Sequence, residues 1–104
     1  MSDIKFTPGP WSVHNTGDIF TDLGARNAEG IDAPSNDGWH IADCDMGGLC
    51  LEEVRANAHL IAAAPDMYEA LQQAITSMQD SGYQNSHVVI RAGKAALAKA
   101  EGKS

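Results

Sequence analysis

The chain has 104 residues, 43% of them hydrophobic, enough for one small core without help from a metal or a disulfide. Fourteen acidic against seven basic residues give a net charge of −7, which argues against nucleic-acid binding through phosphates. No apolar run approaches the roughly twenty residues that span a bilayer, and Met1–Phe6 shows no signal-peptide core.

A cytoplasmic location is therefore the expectation, and Cys44 and Cys50 read as reduced thiols. The charge is uneven. Residues 1–50 hold eight acidic groups (Asp3, Asp18, Asp22, Glu29, Asp32, Asp37, Asp43, Asp45) against Lys5 and Arg26, a net of −6. Residues 51–104 hold six acidic and five basic groups, a net of −1. A solvated, solubilising surface explains such a bias. A sharper explanation is a patch that meets a basic partner or mimics the charge of a nucleic acid.

In chain order, Met1–Thr7 reads as a frayed leader. Thr7-Pro8-Gly9-Pro10 gives an extended, turn-like entry. Trp11 to His14 then alternates, with Trp11 and Val13 on one side and Ser12 and His14 on the other. That is a strand with Trp11 as its core anchor. Asn15-Thr16-Gly17-Asp18 is a turn, and Ile19-Phe20-Thr21 returns as the second strand of a hairpin. Leu23 to Gly38 is turn-rich, with one more short strand predicted around Ile31. Trp39 to Cys44 is the clearest later strand. Strict alternation places Trp39, Ile41 and Asp43 on one face and His40, Ala42 and Cys44 on the other. Gly47 and Gly48 supply freedom before the helical half begins.

The helical half centres on Ala56–Leu71. Pro65 is barred from a helix interior and favoured in a first turn, so two helices are predicted to meet at Ala64-Pro65. The first runs from about Leu51 to Ala63, with Glu52 and Glu53 placed to favour its dipole and an apolar face of Leu51, Val54, Ala58, Ile61 and Ala62. The second runs from about Pro65 to Gln79 with a face of Met67, Leu71, Ala74, Ile75 and Met78. A break over 80–85 precedes a third helix from about His87 to Ala100, capped by Ser86 or Asn85. Its predicted stripe is Val89, Ala92, Ala96 and Leu97. Gly93 in its middle costs about 1 kcal/mol relative to Ala and points to close packing against another helix.

The candidate chemistry is sparse. His40, Cys44, Cys50 and His59 are spaced wrongly for paired zinc ligands. Cys50 at a helix start has Glu52 and Glu53 beside it, which oppose a thiolate. No nucleophile triad, phosphate loop or metalloprotease motif is present. The sequence therefore reads as a non-enzyme with no cofactor and no metal. A ligand-binding alternative uses Arg26, Arg55, Asn57, His59, Trp39 and Arg91 as an anion and stacking set at a protomer interface, with Trp11, Tyr68 and Tyr83 as further platforms.

Two stretches together resemble a family of small phage and prophage proteins. They are Thr7-Pro8-Gly9-Pro10-Trp11 followed by a strand, and Ala56-Asn57-Ala58-His59-Leu60-Ile61-Ala62-Ala63-Ala64-Pro65-Asp66 followed by Met67 to Leu71. In such proteins the two signatures flank a variable middle, here Leu23 to Gly48. The resemblance implies a phage accessory protein and carries no catalytic residues.

The expectation is thus a single α+β domain over 1–104, with 1–6 and 101–104 flexible. A small antiparallel sheet of three to four strands from the first half should pack against two to three C-terminal helices. The functional expectation is a binder acting in the bacterial cytoplasm as a homodimer or larger oligomer. It antagonises a host defence protein through the acidic residues Asp18, Asp22, Glu29, Asp32, Asp37, Asp43 and Asp45. An oligomeric sponge for a nucleotide immune signal, built on the arginine set, is the alternative. A structural or regulatory phage accessory protein is the third.

Overall fold

Alternating sequence becomes antiparallel sheet in the first half of the computed structural model, which describes residues 5–22, 25–33, 38–45 and 47–103. β1 (Trp11–His14), β2 (Asp18–Thr21) and β3 (His40–Asp43) lie in the order β1-β2-β3. The β1–β2 hairpin pairs Trp11 with Thr21 and His14 with Asp18. Its turn places Asn15 at φ 54°, a left-handed position that asparagine tolerates better than most residues. Three strands form the sheet among the described residues. The strand expected around Ile31 is only a single bridge between Arg26 and Asp32, and Ile31 is exposed. The Asn27 carboxamide oxygen accepts from the backbone N–H groups of Glu29 and Ile31, at 2.9 and 3.0 Å. This local satisfaction competes with a longer ladder.

α1 (Leu51–Ala62) packs on β1 and β2. Ile19, Val54 and Ala58 are the fully buried apolar side chains of this layer, joined by Thr21. Each fully buried Val or Ile stabilises the fold by about 1.5–3 kcal/mol. Leu51 and Ile61, expected on the same buried face, are 53% and 37% exposed. Four-residue strands span only about 13 Å, so the sheet covers the middle turns of α1 and leaves its ends open. Trp11 is half-buried, with its indole Nε1–H donating to the Thr7 carbonyl at 3.2 Å and its ring edge-on to Phe6. Phe6 and Thr7 are thus tied to β1, whereas Met1–Ile4 of the expected leader lie outside the described residues.

The chain divides into two compact units, Met1–Pro65 and Asp66–Ser104. α1 ends at Ala62 and α2 (Ala64–Asp80) follows at once, with Pro65 in its first turn as the ring geometry demands. The second unit is a hairpin of α2 and α3 (Val88–Ala100). Each helix ends in a Schellman motif with a left-handed glycine. Gly82 (φ 98°) donates to the Gln79 carbonyl and Tyr83 to Met78. Gly102 (φ 78°) donates to Lys99 and Lys103 to Ala98.

The buried stripes of this unit are each shifted from expectation. On α2, Tyr68 and Ile75 are buried, with Leu71 and Met78 half-buried, while Met67 is 48% exposed and Ala74 is exposed. On α3, Ile90 and Gly93 are buried and Leu97 half-buried, while Val89, Ala92 and Ala96 are exposed. Gly93 explains the shift. A Cβ there would lie 2.6 Å from Ile75 Cδ1 and 3.4 Å from Leu71 Cδ1. The missing side chain lets α2 approach, and the Gly93 side of α3 becomes the contact. The α3 N-cap is His87 rather than Ser86 or Asn85. Its ring Nδ1 accepts from the Val89 N–H at 3.2 Å, so imidazole does the work expected of a hydroxyl.

Candidate functional site

Register decides what the sheet shows on the side away from α1. Trp11, Val13, Ile19 and Thr21 share the core side. Ser12, His14, Asp18 and Phe20 share the outer side. On β3 the alternation breaks. Asp43 pairs with Asp18 and Ala42 with Ile19, but His40 pairs with Phe20, leaving Ile41 as the extra residue of a bulge. His40 therefore joins the outer face while Ala42 stays opposite Ile19 on the core side. Sequence alternation had put His40 and Ala42 together, and Asp43 with Trp39 and Ile41.

The outer face is a stacked strip flanked by acid. The Phe20 ring lies 5.2 Å from His14, edge-on, and 4.7 Å from His40, tilted by 33°. His14 and His40 are exposed and Phe20 is half-buried. His40 Nε2 is 3.6 Å from Asp18 Oδ1, and Asn15 Nδ2 donates to Asp18 Oδ2 at 3.1 Å. Asp18 and Asp43 stand directly opposite on neighbouring strands, an arrangement that like charges disfavour. Asp43 Oδ1 accepts from the Asp45 N–H at 2.9 Å, and the Cys44 N–H donates to the Gly17 carbonyl at 2.8 Å. These bonds fold the end of β3 against the hairpin turn. Asn15, Thr16, Gly17, Asp18, Asp43 and Asp45 line an open depression of about 200 Å³ there.

Of the seven acidic residues expected to form a patch, the structure gathers Asp18, Asp43 and Asp45. Asp22 follows β2 and is exposed. Glu29 and Asp32 belong to the separate 25–33 loop, where Asp32 is bound to Arg26 at 2.9 Å with both side chains exposed. Asp37 lies outside the described residues. The alternative ligand set does not converge. Arg26 is committed to Asp32, Arg55 and His59 share the exposed side of α1, and Asn57 is half-buried two residues from each. Trp39 precedes β3, its indole N–H buried without a partner among the described residues, and Arg91 belongs to the second unit. Tyr68, weighed as a stacking platform, is a core residue.

His14 and Phe20 were not singled out in the sequence as site residues, and His40 was weighed there only as a metal ligand. The alternation of β1 did turn His14 away from Trp11, but adjacency across three strands exists only once the register is known. Among the described residues no group of three His, Cys, Asp or Glu could hold a metal ion. No helix there is long and apolar enough to cross a membrane. Cys44 is half-buried and Cys50 exposed at the start of α1, where its side chain makes no capping bond.

The second unit holds a polar latch. The Tyr68 hydroxyl donates to Glu101 Oε2, Lys103 Nζ lies 3.0 Å from Glu101 Oε1, and Gln72 Nε2 donates to the Tyr68 hydroxyl at 3.4 Å. The bond from Tyr68, then Lys103, lowers the Glu101 pKa. The bond to Glu101, then burial, raises that of Tyr68. Glu101 is thus engaged at the end of α3 rather than free in a solvated tail.

A three-stranded sheet with one helix behind it and an acidic, imidazole-lined face in front, joined to a helical hairpin, defines a small α+β protein whose distinctive chemistry is a surface. The chain belongs to the Salmonella phage P22 protein Y8K6 family, whose family model matches residues 1–104. It is a phage accessory protein. Comparison with curated proteins and with solved structures gave no match.

Proposed function

We propose that this phage protein is a non-enzymatic binder that antagonises a host defence protein inside the infected bacterium, docking the outer face of its sheet on a basic surface. The observation that carries the reading is the grouping of Asp18, Asp43 and Asp45 around one depression, continuous with Phe20 between two exposed imidazoles. Opposed carboxylates that repel one another in the free protein are relieved when a guanidinium or ammonium sits between them. Phe20 supplies the apolar contact that such an anchor needs for affinity. The nucleotide-sponge reading finds less support, because Arg26 is spent on Asp32 and Arg55 stands apart from Trp39 in sequence and element.

The test is co-purification from infected cells. The wild-type protein should retain one host protein at low salt and release it as salt rises. The triple variant Asp18→Lys/Asp43→Lys/Asp45→Lys, checked for a native circular-dichroism spectrum, should retain none. It should also fail to restore phage plating on a defence-carrying strain. The same host protein on the folded triple variant overturns the reading.

A further inference from the structure

We propose that the α2–α3 hairpin carries a second, self-complementary apolar side on which a second copy of this chain docks, two hairpins forming a four-helix bundle. The observation is that each helix has two stripes of apolar or small residues and the hairpin uses one. On α2 the unused stripe is Met67, Ala70, Ala74 and Ser77, at intervals of three, four and three. On α3 it is Val89, Ala92 and Ala96, flanked by Val88 and Ala95. All of these residues are exposed, with Met67 at 48%, Val89 at 54% and Val88 at 72%. These are the positions whose periodicity on α3 marks a buried face.

At 100° per residue, the α2 stripe lies about 130° from the line of Tyr68 and Ile75, and the α3 stripe about 100° from that of Ile90 and Gly93, turned in the same sense. In antiparallel neighbours that sense brings both stripes to one side of the hairpin. Lys99, three residues beyond Ala96, lies on that side at the end of α3, whereas the charges Asp66, Glu69, Asp80, Arg91 and Lys94 fall off it. None of these five makes an ion pair among the described residues.

Three features select a second copy as the occupant. A two-fold interface sets one patch against itself, so it must tolerate its own charge, and this patch is neutral apart from Lys99 at its end. Alanines at 70, 74, 92 and 96 allow helix backbones to approach closely. The size also fits. Helices of 17 and 13 residues are about 25 and 20 Å long and pack at 8–10 Å, so the side of the hairpin buries roughly 600–800 Å² per copy. That reaches the lower range of specific dimers. A hairpin of 39 residues also falls below the size that usually builds a sufficient core unaided.

Native mass spectrometry and light scattering over a dilution series test this. The full chain should run at twice its 11.0 kDa mass and dissociate on dilution. Ala92→Glu/Ala96→Glu should run as the single chain with its helical spectrum intact, and Lys94→Glu, off the patch, should leave the dimer unchanged. Should the double variant lose helix, Ala92→Gln, uncharged and helix-compatible, should weaken association at least tenfold. Three results overturn the proposal. They are a wild-type chain that stays single at millimolar concentration, a folded double variant that still dimerises, and a dimer that Lys94→Glu disrupts instead.

Discussion

Replacing Gly93 by alanine sets two opposing magnitudes against each other. In an exposed helix interior the change is worth about 1 kcal/mol of stabilisation. Here the new Cβ would sit 2.6 Å from Ile75 Cδ1 and 3.0 Å from Ile75 Cγ1. Real Cβ contacts are not that short, so Ile75 must leave its rotamer or the helices must separate, costing about 1–3 kcal/mol. Packing wins, and Gly93→Ala should destabilise the protein by about 1 kcal/mol, or several degrees in Tm. The second leg of the cycle is Ile75→Val, which removes Cδ1 and alone costs about 0.5–1.5 kcal/mol. In that background the Cδ1 overlap is gone, and Gly93→Ala should become neutral or stabilising. The coupling between the two sites should be about 1–2 kcal/mol, measured by urea unfolding followed by far-UV circular dichroism. If Gly93→Ala alone raises stability by the full propensity gain, the close approach of α2 to α3 is refuted.

Other perturbations follow from single contacts. His87→Asp should stabilise α3 by about 0.5–1 kcal/mol, because a carboxylate caps the Val89 N–H and also favours the helix N-terminus, whereas His87→Ala should weaken it; thermal melts compare the three. Thr21→Val should cost about 1–3 kcal/mol, since the Thr21 hydroxyl accepts from the Trp39 N–H at 2.7 Å inside a site where Thr21 is 1% exposed; urea titration reads the loss. The Tyr68–Glu101 latch makes stability depend on pH at both ends. The lowered Glu101 pKa contributes stability that is present above the ordinary carboxylate value of 4.5 and is lost as pH falls through the folded value. The raised Tyr68 pKa contributes stability that is present below the ordinary 10.0 and is lost as pH rises through its folded value. Tyr68→Phe should flatten both limbs of a Tm-against-pH profile, and a profile unchanged by the substitution would contradict the latch.

The helices were legible because their signals are local. Pro65 marks a boundary from its own ring, and Glu52 and Glu53 mark a first turn from their charge. The faces of α2 and α3 were less legible. Periodicity on an alanine-rich helix allows two stripes, and a glycine's missing side chain selects between them only when its neighbour across the hairpin is known. Tyr68 is buried because Glu101, 33 residues away, satisfies its hydroxyl. In the sheet, β1 was readable from alternation, but β3 was misphased because a bulge leaves no mark in composition. The acidic bias of the first half was visible as a sum. Which carboxylates meet depended on the Asp18–Asp43 register, and so three of seven converge.

The extra residue at Ile41 acts as a phase reset within a short strand. Upstream of it, His40 takes its position from Phe20; downstream, Ala42 and Asp43 take theirs from Ile19 and Asp18. The two ends of β3 are therefore indexed independently. Insertions or deletions in the long segment between β2 and β3 can be absorbed at this point without rotating Asp43 and Asp45 away from the hairpin turn. The carboxylates at the acidic end of the sheet thus keep their address whatever the phase of the residues that enter β3 ahead of the bulge.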